Sequence, residues 1–138
     1  MPIEARTTSV AGRSTVRTRL VAIGIALVAA VAIWGIATAA GAPLEVDQGQ
    51  GVMSISLISV VFAVVFVGLL AWGLLALLER SARGVTIWTV IAGIVTALSF
   101  FPVIASEATT GTRVTLAAMH LAVAAVIIPL FRRSSGAA

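Results

Sequence analysis

The sequence predicts an all-α membrane protein: four transmembrane helices in an up-down-up-down antiparallel bundle, with both termini cytoplasmic. Three observations lead there. Hydrophobic residues make up 60% of the 138 and charged residues only 10%, with a mean hydropathy of +1.16. A soluble domain carries about 25% charged residues because its surface faces water, so lipid must be the solvent for most of this chain. Apolar runs at 20–40, 55–78, 85–104 and 114–131 contain no Asp, Glu, Lys or Arg. Each approaches or exceeds the roughly 20 residues that cross about 30 Å of hydrocarbon. Arginine supplies all the basic charge, nine residues in total, and eight of the nine fall on one side of these runs.

Residues 1–18 are rich in Arg, Ser and Thr. They cannot bury enough apolar surface to offset ordering, and are expected to form a disordered basic cytoplasmic tail ahead of a transmembrane domain at 19–133. The first run, followed by "ATAAGAP", resembles a cleavable signal. Its 21 residues exceed a signal core of about 7–15, so a retained helix is expected. The "GAPLEVDQGQG" stretch reads as a Gly/Pro/polar loop that continues neither neighbouring helix. The second run has room to tilt, and a short turn at 79–84 makes it an antiparallel hairpin with the third. The fourth run is short and relies on flanking arginines that snorkel. Residues 134–138 read as a second short tail.

Orientation follows from the positive-inside rule. Arg17 and Arg19 precede the first run with Arg6 and Arg13, Arg80 and Arg83 lie between the second and third, and Arg132 and Arg133 follow the fourth; Arg113 alone falls opposite. The segments are continuous and not alternating, which excludes a β-barrel. Arginines that flank spans are topology signals, so nucleic acid is not an expected partner.

Helices in lipid associate through small residues and polar groups. Ala22, Ala26 and Ala30 form one ridge, Thr89, Gly93, Thr96 and Ser99 a second, and Ala118, Ala122 and Ala125 a third; packing within one bundle is favoured over oligomerisation as their use. Trp72 and Trp88 sit where interfacial tryptophan is common. The only histidine, His120, lies within the fourth run, about 9 Å below the outer hydrocarbon boundary at 1.5 Å per residue. Ser99 and Thr96 come out at about 7 and 12 Å on the antiparallel neighbour, with Ser59 and Trp34 at comparable depth. These five form a candidate polar layer. Two uses are open: a neutral imidazole bonded across helices to Ser99 or Thr96, which is favoured, or a proton acceptor in an outward cavity. Glu107, in the loop before the fourth run, is a weak additional candidate.

Much chemistry is excluded. There is no cysteine and one histidine, too few ligands for a zinc site or a bis-His haem, so neither metal nor cofactor is expected. The runs hold no paired carboxylates for acid–base work, no nucleophile elbow and no phosphate-cradling glycine loop. Small multidrug exporters resemble the chain in size, but they use a glutamate in the first helix that is absent here.

A closer resemblance lies in "LLALLER", the Trp88 helix and "LAAMHLAVAAVIIP". These are similar to an uncharacterised family of small four-pass integral membrane proteins of actinobacteria, over about residues 20–131. The resemblance implies a bacterial plasma-membrane four-helix protein and carries no activity. The leading functional expectation is a structural or accessory role with the lipid bilayer, a second copy or another membrane protein as partner. The alternative is a carrier or lipophilic-ligand-binding protein with a polar pocket around His120. A membrane enzyme using His120 and Glu107 is weaker.

Overall fold

Lipid-solvated apolar segments must satisfy their backbone groups internally, and helices do so. The computed structural model describes residues 2–136, with side chains from residue 12 onward. Four helices are long and apolar enough to cross a membrane: α1 (Pro2–Ala39), α2 (Leu57–Leu78), α3 (Gly84–Ala105) and α4 (Thr110–Gly136). Each packs beside its sequence neighbours, and α1 closes the ring against α4 in the most extensive contact of the bundle. This is the expected arrangement. Ile58, Phe62, Leu98, Phe101 and Ile104 point outward, as lipid-facing residues should.

The alanine ridge of α1 is fully used inside the bundle. Ala22, Ala26 and Ala30 are each 0% exposed, so the backbone of α1 approaches its neighbours closely. Gly68 gives α2 the same advantage, since a Cβ there would come within 2.9 Å of the Ile23 side chain. At the α2–α3 turn a Cβ on Gly84 would overlap the Leu78 carbonyl at 1.7 Å, so only glycine closes it.

Several boundaries differ from the expectation. α1 runs back to Pro2, through the segment expected to be a disordered tail. Helix propagation adds one hydrogen bond per residue once a long helix is nucleated, and Arg13 and Arg17 stay exposed along this extension. α4 continues past residue 131 to Gly136, taking in most of the expected second tail; residues 137 and 138 lie outside the described residues. The extension has a cause. Ser134 is 3% exposed, and its hydroxyl donates to the Phe131 carbonyl at 2.7 Å while accepting from Arg19 Nε at 3.0 Å.

The expected loop after α1 contains a small hairpin, β1 (Glu45–Asp47) and β2 (Val52–Ser54), paired antiparallel. The Asp47 carboxylate accepts from the Gly49 and Gly51 amides at 2.8 and 3.3 Å, which shapes the turn. Asp47 and Glu107 exchange two backbone hydrogen bonds of 3.0 Å, tying the α3–α4 connection to the hairpin. One end of the bundle therefore carries this hairpin, and the other carries most of the arginines.

Trp88 corrects another expectation. It is 1% exposed, stacks on Phe131 at 5.8 Å between centroids, and donates from Nε1 to the Ala71 carbonyl at 2.9 Å. It is a core residue joining three helices and faces away from lipid. Its polar edge is satisfied by an α2 carbonyl, which removes the reason to seek headgroups.

Candidate functional site

Between α2, α3 and α4 the helices do not close completely. They leave a cavity of about 450 Å³, lined mostly by Val, Ala and Ile with one contribution, Ala30, from α1. Its lining runs from Ser59 to Ala71 on α2 and from Leu116 to Ile128 on α4, about 18 Å of helix in each case. The cavity is thus elongated along the bundle. Trp88, Ala71 and Ile127 bound it toward the arginine-rich end, while Ser59, Ser99, Thr96 and His120 line it toward the hairpin.

Four of the five residues of the candidate polar layer therefore line the same cavity, from three helices. Trp34 does not. Its Nε1 donates to the Ile55 carbonyl at 2.9 Å and fastens α1 to the segment entering α2. Depth counting does not specify the direction in which a side chain leaves its helix.

The hydrogen bonds within the layer differ from the expected pattern. No bond joins His120 to Ser99 or Thr96. His120 Nδ1 lies 2.6 Å from the Leu116 carbonyl of its own helix. Ser99 donates to the Thr96 carbonyl at 2.6 Å, Thr96 to Ala92 at 2.7 Å, and Ser59 to Ser56 at 2.7 Å. A helical hydroxyl reaches the carbonyl three or four residues back without needing a neighbour, so each group is satisfied locally and remains so if the helices separate. Across α3 and α4 His120 instead meets the Phe100 ring, with centroids 5.9 Å apart and planes tilted by 47°.

Glu107 lies elsewhere. It is exposed, its backbone is held by Asp47, and it lines a separate recess at the hairpin end with Phe101, Pro102 and Ser106. The two cavities have no lining residue in common, so Glu107 and His120 do not converge on one reacting centre. Arg113 stands near that recess, donating to the Ser106 carbonyl at 2.9 Å.

One polar cluster was not anticipated. Arg19, assigned above only to topology, is 2% exposed. Its guanidinium pairs with the Glu79 carboxylate and donates to Ser134 and Ser135, linking α1, the end of α2 and α4. The signal available in the sequence was a single acid directly after the second run, on the side crowded with arginine. The other topology residues, Arg17, Arg80, Arg83, Arg132 and Arg133, are exposed. No group of three or more potential metal-ligating side chains occurs among the described residues.

A family model described as a family of unknown function, DUF6069, matches residues 10–137. No curated protein and no solved structure matches the chain.

Proposed function

The chain belongs to that family of unknown function, and we propose that it is a membrane-embedded binding protein for a lipophilic molecule. The observation that carries this reading is the cavity itself. Well-packed interiors hold few voids larger than a water molecule. An opening of about 450 Å³ is instead of the size that ligand pockets occupy, about 300–1,000 Å³ with mostly apolar walls and a few convergent polar groups. The walls match that pattern, apolar along most of their length and polar at one end only. In the proposed orientation the arginine-rich end faces the cytoplasm of a bacterial plasma membrane and the hairpin faces outward. A lipophile would enter from the bilayer, with its polar end toward the hairpin.

Trp88 provides the test. It borders the cavity and is 1% exposed, so bulk lipid does not touch it, and a bromine held in the cavity would quench it at short range through the lining. In a Trp34→Phe/Trp72→Phe background, a bromine-labelled long-chain alcohol should quench Trp88 saturably. Introducing Ala124→Phe, which fills the lining, should abolish that quenching. Quenching that rises linearly with quencher, or that is unchanged by Ala124→Phe, would reject the reading.

A further inference from the structure

Five side chains with hydrogen-bonding capacity line the cavity: Ser59, Trp88, Thr96, Ser99 and His120. Every donor among them is already committed. The Trp88 Nε1–H goes to Ala71, and the three hydroxyl hydrogens go to carbonyls of their own helices. A carbonyl oxygen only accepts, so the contact between His120 Nδ1 and the Leu116 carbonyl places the imidazole hydrogen on Nδ1. In the neutral ring that leaves Nε2 as an acceptor.

Nε2 has no partner among the described residues. No buried side-chain nitrogen or oxygen of a described residue lacks a partner, so Nε2 must be open rather than sealed in the packing. The Thr96 and Ser99 oxygens likewise keep lone pairs after donating, and the Ser59 oxygen keeps one beside the bond it accepts from the Ser56 hydroxyl at 3.3 Å. The polar end of the cavity is therefore rich in acceptors and has no free side-chain donor.

Taking the ligand-binding reading as its basis, we propose that the cavity selects lipophiles bearing a neutral hydrogen-bond donor, namely a long-chain alcohol or phenol whose O–H points at His120 Nε2. A carboxylate or phosphate head finds no donor there. An ammonium head finds no carboxylate in the lining, and an unpaired charge in an apolar site is costly. A hydroxyl satisfies the acceptors without bringing charge. The apolar remainder lies along the Val- and Ala-lined walls toward Trp88.

The experiment compares three unlabelled chains of equal length, 1-hexadecanol, hexadecyl methyl ether and hexadecanoate, as competitors in the Trp88 quenching assay. The expected order is the alcohol first, the ether about tenfold weaker for want of one hydrogen bond, and the carboxylate weakest. His120→Gln retains an acceptor and should keep the preference for alcohol over ether, whereas His120→Phe retains a ring against Phe100 and should narrow it at least threefold. Equal competition by alcohol and ether, or preference for the carboxylate, would overturn the selectivity while leaving a ligand cavity in place. Absence of any saturable quenching by the labelled alcohol would instead remove the ligand-binding reading, and this proposal with it. The wild-type comparison needs no variant, so a poorly folding His120→Phe protein does not block the decision.

Discussion

Arg19 of α1 pairs with Glu79, the residue capping the C-terminus of α2, and the guanidinium is 2% exposed. A carboxylate at a helix C-terminus opposes the helix dipole, so Glu79 is held there by the cation beside it. Ser134 and Ser135 occupy further donor sites of Arg19, which brings the end of α4 into the same cluster. The arginine-rich end is thus closed by a polar clasp joining three helices, while the cavity lies deeper in the bundle.

Removing one member of a buried ion pair leaves the other uncompensated. Arg19→Ala should cost about 3 kcal/mol, the low end of the usual range because the Glu79 side chain is 28% exposed. Urea or thermal unfolding in mild detergent checks the magnitude. Arg19→Leu combined with Glu79→Leu should recover part of the loss; a double variant no better than Arg19→Ala would show that the pair is not the source of the cost.

The α1–α2 seam depends on the missing side chain at Gly68. Gly68→Leu forces the helices apart against Ile23 and should destabilise by about 2 kcal/mol, overpacking outweighing the gain in helix propensity. Adding Ile23→Ala should make the Leu substitution cheaper than it is in the wild type. Strictly additive effects would place the strain somewhere other than this contact.

The sequence has no cysteine, so single introduced cysteines report topology cleanly. In intact cells an impermeant thiol reagent should label Gln48→Cys in the hairpin and leave Ser81→Cys untouched until the membrane is broken. The reverse pattern would invert the orientation proposed from the arginine bias.

His120 bonds within its own helix, and that separates its structural role from its role in the cavity. His120→Leu should change unfolding free energy by less than about 1 kcal/mol, because no bond across helices is lost. The same substitution should weaken lipophile binding. A large loss of stability with binding intact would mean that His120 joins helices after all.

The fold was readable because span hydropathy is a property of composition along the chain, and four uninterrupted runs leave few ways to pack. The alanine ridge of α1 was readable for the same reason, since spacing by four puts Ala22, Ala26 and Ala30 on one face. The hairpin was not: its strands are three residues each, and Glu45–Asp47 is stabilised by pairing with β2 and Glu107, not by its own pattern. For Arg19 the charge count gave the correct end of the bundle and no hint of burial, which depends on Glu79 and Ser134 arriving from distant parts of the chain. Counting residues grouped Ser59, Thr96, Ser99 and His120, and these four line one cavity. Their bonds were not, because a helical side chain can turn back to its own backbone as readily as across to a neighbour.

A lipophile held in the cavity should survive release from mild detergent, where native mass spectrometry can weigh it together with the protein. The wild-type species should be heavier than the bare chain by one neutral lipophilic molecule, and the Ala124→Phe species should have the mass of the bare chain. Wild-type protein that carries no added mass, or an identical adduct retained by Ala124→Phe, would contradict binding in the cavity.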